Sequence, residues 1–467
     1  MITSHTASVS VDTIVDGGTL VGSDGLVDAS IAIEDGEIAA VGARSELPTA
    51  DDVVDATESL VMPGVVDVHV HLDDMFSNDT YETASRAAAL GGTTTAIDFA
   101  WQAWVSESSI FEEESTLLEG IERKRAKAES SLIDYGLHGA ITREDPAVFE
   151  ELPAIVEAGV TSIKMFTAYE HGLPNGFINE VLREAADHDL VAVVHTEDAS
   201  ICEVITEQFK REGKGDPEYY PRSRPDYAEA MAADDAVTMA MEAGCRYYGI
   251  HTTCRKAAEV IAAHREDHHD RIRAETCTQY TVADDSLFEA VGLLPMAAPP
   301  LRKADDNEAM FEHLNRGSID VVSTDHCGYT REQKQHENWW EGTFGMNSLQ
   351  RSLPVFYDEA VDERGFGPSF VVEKLCTAPA RIFGMPEKGT LAPGTHADIV
   401  VFDPDADEPI NPATNESVSD YSVYEGRSVG RVERTFVRGE LVADDGEVVG
   451  EAGHGEFLER EIPDWER

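Results

Sequence analysis

Asp67-Val68-His69-Val70-His71 follows Pro63-Gly64 and alternates polar with β-branched residues. Alternation of period two marks a β-strand, whose successive side chains take opposite faces, so His69 and His71 share one face while Val68 and Val70 pack behind it. Two neutral imidazoles on one face form half of a metal site. On its own, a His-x-His pair is equally well two polar residues on a half-buried strand. The sequence downstream decides between these readings.

Further candidate ligands accompany short apolar runs. Lys164 lies in Thr161-Ser162-Ile163-Lys164-Met165-Phe166, His195 follows Val191-Ala192-Val193-Val194, His251 follows Tyr247-Tyr248-Gly249-Ile250, and Asp325 follows Val321-Val322-Ser323-Thr324. Such runs are what strands of a parallel sheet covered on both faces look like. The gaps from His71 to Lys164, His195, His251 and Asp325 are 93, 31, 56 and 74 residues in turn. A (β/α)8 barrel of about 250 residues spends roughly 31 residues on each strand-plus-helix unit. The gaps therefore fit three units, one unit, one unit with an insertion, and two units. The candidates fall on strands 1, 4, 5, 6 and 8 at their carboxyl ends, where barrel enzymes carry their active sites. Segments 93–99, 132–138 and 272–277 supply strands 2, 3 and 7, and 227–243 reads as an intervening Ala/Met-rich helix. His138 ends strand 3 and is read as a supporting residue rather than a ligand. His264, His268 and His269 lie in a charged helical stretch and read as a solvated face.

The same residues carry a family resemblance that runs nearly from end to end. The matching segments include Pro63-Gly64-Val65-Val66-Asp67-Val68-His69-Val70-His71-Leu72-Asp73, Gly91-Gly92-Thr93-Thr94, Lys164-Met165-Phe166-Thr167-Ala168-Tyr169 and Val194-His195-Thr196-Glu197. They continue with Glu275-Thr276-Cys277-Thr278-Gln279-Tyr280, Pro299-Pro300-Leu301-Arg302, Thr324-Asp325-His326-Cys327 and Ala378-Pro379-Ala380-Arg381-Ile382-Phe383-Gly384. The chain resembles the cyclic amidohydrolases of the dihydropyrimidinase and hydantoinase branch. That resemblance implies two divalent ions, usually zinc, bridged by a carbamylated lysine. His69, His71 and Asp325 would hold one ion, His195 and His251 the other, and Lys164 would bridge them. Carbon dioxide adds only to a neutral amine, and a desolvated lysine gives up its proton readily. Lysines are 10 of the 36 basic residues, and the middle of an apolar run is a poor place for a solvated charge.

The implied reaction opens a cyclic amide to an N-carbamoyl amino acid. A hydroxide bridging two metals about 3.5 to 4 Å apart attacks the ring carbonyl, Asp325 carries the proton to the leaving nitrogen, and Tyr169 donates to the developing oxyanion. Dihydroorotases typically carry an arginine two residues after the second histidine for the carboxylate of their substrate. Asp73 stands there instead, which argues for a neutral ring: a dihydropyrimidine, a hydantoin or a related ureide. Allantoinase and dihydroorotase-type hydrolysis are the alternatives. From a different class comes a noncatalytic scaffold, because the family includes members that keep the barrel and have lost ligands.

Two departures stand out. Relatives usually have serine before Pro-Pro-Leu-Arg and proline after Asp-His-Cys, where this chain has Ala298 and Gly328. Ala298 can meet the substrate amide only through its backbone, and Asn347 is the second expected contact. The loop Asp74-Met75-Phe76 and the aromatics Trp101 and Trp104 serve either as walls of a substituent pocket or as core. Cys327 beside Asp325 suggests a thiol nucleophile that the metal ligands make unnecessary.

With 467 residues the chain exceeds a bare barrel. Residues 1–60 and 391–467 are strand-and-turn in character, and neither piece can bury a core alone. They are expected to form one composite β-sandwich beside a barrel over 61–390. The segment after Gly446 resembles the family's extended tail, which reaches a neighbouring subunit and implies a homo-oligomer, tetramer or dimer.

Ninety acidic residues against 36 basic give a net charge of −54, spread along the whole chain. Such a field excludes nonspecific nucleic-acid binding. It destabilises a compact state unless screened, and molar salt shortens the screening length to about 3 Å, so a halophilic cytosol is the expected setting. A hydrophobic content of 42% argues against disorder. The six cysteines include no Cys-x-x-Cys pair, no apolar run approaches a membrane span, and the amino terminus has no basic-then-apolar leader. A cytoplasmic enzyme acting on a small molecule is expected.

Overall fold

The computed structural model describes residues 10–106 and 109–465. Eight parallel strands follow one another around a barrel: β1 (Val65–Asp67), β2 (Thr93–Trp101), β3 (Asp134–Ala140), β4 (Ser162–Phe166), β5 (Val191–His195), β6 (Arg246–Gly249), β7 (Ile272–Cys277) and β8 (Val321–Ser323). The sheet closes where Val70 bridges His326 and the His71 N–H donates to the His326 carbonyl at 2.9 Å. Six of the eight strands are buried at every position. Cover on both faces is why these strands read as continuous apolar runs.

Three boundaries differ from expectation. The paired part of β1 ends at Asp67, and His69 and His71 lie in the extended segment beyond it. Segment 68–71 stays extended because it is held from both sides: the Val70 N–H donates to the Ile97 carbonyl of β2 at 3.3 Å, and the His71 N–H to the His326 carbonyl just beyond β8. Strand β3 spans 134–140 rather than 132–138, so His138 is internal, and Lys164 is the middle residue of β4 rather than its end.

Helices flank the strands as their start signals require. Thr80 caps α1 (Tyr81–Leu90), and Thr116 with Glu119 forms a capping box on α2 (Leu117–Lys127). The Ala/Met-rich stretch is α3 (Asp226–Ala243), closed by Gly244 in the left-handed conformation. Among the described residues, no helix is long and apolar enough to cross a membrane.

A β-sandwich sits beside the barrel. Its four-stranded sheet comes wholly from the amino end, in the order Glu37–Gly42, Ser30–Glu34, Ser10–Asp16, Thr49–Asp55. Its seven-stranded sheet draws on both ends, because Leu60–Pro63 pairs antiparallel with Ile399–Pro409 and parallel with Thr19–Gly22. Val15, Ile31, Ile33, Val61, Ile399, Val401 and Phe436 share one buried cluster between the sheets. Asp35-Gly36 makes the turn into Glu37–Gly42 with φ of 51° and 82°, the double positive φ of a hairpin turn. At Gly64 the chain passes from sandwich to barrel against Thr94, and a Cβ there would run into that side chain.

In the carboxyl-terminal tail, residues 455–465 lie across the base of the same chain's barrel. The Tyr135 N–H donates to the Glu456 carbonyl at 2.9 Å, the Arg460 N–H to Gly159 at 3.0 Å, and the Trp465 indole to Ile382 at 3.0 Å. Arg460 is buried against Leu137 and Ser162. Backbone pairing at the amino ends of β3 and β4 holds the tail down, and the residues that accept it are scattered in sequence.

Candidate active site

All six candidate ligands converge at the carboxyl mouth of the barrel and line one cavity. Asp67 fixes the first of them: its Oδ1 accepts from the His69 N–H at 3.1 Å and the Thr324 N–H at 3.3 Å, joining the two segments that bear His69, His71 and Asp325. His69 Nε2 stands 2.9 Å and His71 Nε2 3.5 Å from Asp325 Oδ1. Across the mouth, His195 Nδ1 and His251 Nε2 face each other at 2.8 Å. Lys164, 1% exposed, rises between the two groups with its ammonium over the Phe99 and Phe166 rings, 5.5 and 4.8 Å from their centres.

The backbone at the rim is held in an uncommon conformation. His251, Asp325 and Tyr169 have φ of 37°, 51° and 71°. Non-glycine residues in the left-handed region cost on the order of 1 to 3 kcal/mol each and cluster at functional sites.

Behind the ligands stand carboxylates that turn them inward. Glu275 Oε1 lies 2.7 Å from His69 Nδ1, and its other oxygen accepts from the Tyr248 hydroxyl at 2.8 Å. Glu197 Oε2 lies 3.0 Å from His195 Nε2 and is gripped by the Arg224 guanidinium. Asp74 Oδ2 sits 3.6 Å from His71 Nδ1, beside the Lys124 ammonium at 3.5 Å. His69 and His195, their outer nitrogens so engaged, present the inner ones to a cation, whereas His71 Nδ1 has the Asp74 carboxylate nearby but no hydrogen bond. Burial pushes His195 down to about 4 and His251 well below its ordinary value, so both keep a lone pair free. Burial also disfavours the charged form of His69, but Asp325 and Glu275 outweigh it and raise the ring to about 9. Lys164 is lowered by burial to about 7, against the pull of Asp325 and Glu275.

These donors fit divalent cations. His69, His71 and Asp325 place their ligand atoms within 4.8 Å of one another, and His195 Nδ1 and His251 Nε2, 2.8 Å apart, are close enough to bind a common cation. A further grouping, Asp134, His396 and Asp398, is filled by protein: Lys388 Nζ lies 2.6 Å from each aspartate.

The rest of the cavity is formed by Phe76, Phe166, Tyr169, His171, Ala298, Cys327, Phe344 and Gly345. Burial holds the Tyr169 phenol far above its ordinary value, so it remains a donor, and Arg224 stacks on its ring at 5.2 Å. Burial likewise raises the Cys327 thiol and keeps it un-ionised. Lys334, fully buried, donates to the carbonyls of Met296, Thr343 and Gly345, each at 2.7 Å, and ties the Ala298 segment to the opposite wall.

Several expected residues lie elsewhere. Asn347 stands behind Gly345, which lines the cavity; its amide N–H donates to the Tyr421 carbonyl at 3.0 Å, and its buried side-chain oxygen has no partner. Asp73 does not face the substrate space: its Oδ2 accepts from the Tyr81 N–H at 3.0 Å, at the start of α1. Trp101 stands one layer back, stacked on Phe166 and donating to Asp74 at 3.1 Å, and Trp104 donates to the Thr142 carbonyl. Phe76 alone of its loop reaches the cavity. His138 has both nitrogens engaged, by Ser162 and the Val68 carbonyl, and is no ligand.

Arg224 was invisible in the sequence and carries a test. Arg224→Met leaves the Glu197 carboxylate buried without its cation, which destabilises by about 3 to 5 kcal/mol. Urea unfolding at fixed salt should show a lower midpoint, and an unchanged midpoint would mean that Glu197 finds another partner.

Residues 60–442 match the Amidohydrolase family. A D-hydantoinase of Streptomyces coelicolor is 35% identical, the alignment covering 96% of this chain and 98% of that protein. A crystal structure of a D-hydantoinase superposes with a TM-score of 0.91 at 32% identity, covering 96% of this chain and 99% of the other. The dihydropyrimidinase of Brevibacillus agri gives 0.91 at 30% identity, with 97% and 99% covered. With the match running through sandwich, barrel and mouth alike, this chain belongs to the amidohydrolase family.

Proposed function

We propose that the chain hydrolyses the amide bond of a neutral cyclic ureide, a hydantoin or dihydropyrimidine, to an N-carbamoyl amino acid. The observation that carries this reading is the complete set of His69, His71, Lys164, His195, His251 and Asp325 around one cavity, with Tyr169 at its rim. The set is complete where a scaffold would have lost it.

In this reading His69, His71 and Asp325 hold one divalent ion, His195 and His251 a second, and carbamylated Lys164 joins them. Bound there, the ions, zinc in the first instance, acidify water and polarise the carbonyl. The protein's own groups do the rest. Lys164, brought near neutrality by burial, offers the amine that carbon dioxide requires. Asp325 takes the proton of the attacking water and returns it to the ring nitrogen as the C–N bond breaks. Tyr169 donates to the carbonyl oxygen as it gains charge. Backbone groups of Ala298 and Gly345, fixed by Lys334, border the ring amide.

Neutral-ring preference rests on the lining rather than on Asp73. No arginine is among the residues that line the cavity, and Arg224 is committed to Glu197. A substrate carboxylate brought in would lack a bidentate partner. The acidic surface supports a salt-rich cytoplasm as the working environment, and a homo-oligomer, tetramer or dimer, belongs to the same proposal.

The test compares kcat/KM for hydantoin, dihydrouracil and dihydroorotate in high salt, before and after chelation and zinc restoration. The neutral rings should be opened at least about tenfold more efficiently than the carboxylated one, with activity lost on chelation and regained with metal. Preference for dihydroorotate overturns the neutral class, and a chain that binds no metal and opens no ring is a scaffold.

A further inference from the structure

His171 has two ring nitrogens and no partner for either. It is 3% exposed, lines the same cavity as the candidate ligands, and makes no hydrogen bond through Nδ1 or Nε2. Two buried histidines outside the ligand set behave differently. His138 engages Ser162 and the Val68 carbonyl, while His326 engages Asp79 at 3.0 Å and two backbone N–H groups. Buried polar atoms in proteins are paired as a rule, and those that are not call for an explanation.

The surroundings of His171 supply none from within the protein. Its ring stacks on Tyr169 at 5.3 Å, meets Phe166 edge-on at 4.6 Å, and faces Phe76 and Trp101 at 5.8 and 6.3 Å. A phenylalanine would fill this aromatic box without leaving polar atoms bare. Burial holds the imidazole at about 3, so the ring is neutral and offers one N–H donor and one lone pair. The reacting amide must lie where Asp325, Lys164 and Tyr169 converge. Whatever extends from the ring toward Phe76 meets His171.

We propose that His171 is a specificity-determining residue that reads the substituent on the substrate ring, favouring a neutral group with both a hydrogen-bond donor and a lone pair, such as a carboxamide, hydroxyalkyl or ureido group, over a hydrocarbon of equal size. This inference rests on the cyclic-ureide reading and narrows it. A site built to hydrogen-bond a substrate discriminates strongly against the analogue that lacks the group, because its own polar atoms are then left unpaired.

The test uses two hydantoins of nearly equal shape, one bearing carbamoylmethyl and the other isobutyl at the substituted carbon. Affinities are measured by calorimetry on the metal-loaded Asp325→Asn protein, and kcat/KM on the protein with Asp325 intact. The carboxamide should be preferred by a factor on the order of ten or more. His171→Phe should reverse that preference, and His171→Gln, which keeps a donor and an acceptor, should restore part of it. A general structural defect would weaken both ligands alike and leave the ratio unmoved. If unsubstituted hydantoin is hydrolysed and the ratio is the same with histidine and phenylalanine at 171, the inference is overturned and the cyclic-ureide reading stands. If neither the hydantoins nor dihydrouracil bind or turn over, both fall together.

Discussion

Lys164→Ala eliminates ring opening and lowers bound metal well below about two ions per chain. Lys164 is the one cation among the cavity-lining residues that is not an imidazole, and it stands midway along β4 with aromatic rings on two sides. As an ammonium it would repel the ions that His69, His71, His195 and His251 are arranged to receive. As the proposed carbamate it would supply two anionic oxygens between the two ligand groups. Removing that ligand forfeits several kcal/mol of transition-state stabilisation, a factor on the order of 1,000 in rate. Metal analysis and turnover should fall together, and a small carboxylate such as propionate should partly restore both by occupying the vacated space. Unfolding of the metal-free variant should resemble that of the metal-free parent, since burying a lysine here disfavours its charged form. An alanine variant with normal turnover would remove Lys164 from the mechanism.

The barrel was legible because its strands are covered on both faces and therefore apolar, with polar residues surviving only where the mouth needs them. His195 and His251 stood out against such runs. Lys164 did too, although the apolar run hid that it projects from the middle of a strand. Glu275 and Glu197 were on view inside quoted segments, and the period of two between His195 and Glu197 was their available signal. Their partners were not on view. Arg224 meets Glu197 from 27 residues away, and Lys124 reaches Asp74 from 50 residues away. No local pattern announces a buried ion pair between segments distant in sequence.

Asp73 shows the opposite error, in which proximity in sequence suggested proximity to substrate. Asp73 has φ of 51°, which turns its carboxylate to the amino end of α1. The tail's seat on its own barrel was not legible either, because much of its anchoring is backbone pairing to β3 and to the Gly159 turn, which leaves no sequence signature.

Asp325→Asn separates the two tasks assigned to this residue. Its carboxylate is set opposite both His69 and His71, at 2.9 and 3.5 Å, and is fully within the cavity wall. Burial would raise its pKa, but the two imidazoles hold it well below the ordinary carboxylate range, so it enters the reaction ionised. An ionised carboxylate can coordinate with one oxygen and accept a proton on the other. Asparagine is nearly the same size and keeps an oxygen for the metal, yet its amide cannot take a proton from water and hand it to the ring nitrogen. Metal content in the variant should therefore stay near that of the parent while kcat falls by a factor on the order of 100 or more. KM should change far less than kcat, because the ring still meets Tyr169 and the Ala298 and Gly345 walls. Parallel loss of metal and activity would assign Asp325 to holding the ion alone, and the proton would then need a different carrier. Glu275 and Glu197 are poor substitutes, since each is already committed to a histidine and to a second partner, Tyr248 or Arg224. With no other uncommitted carboxylate lining the cavity, the prediction rests on Asp325 being the one acid that can both receive and return the proton.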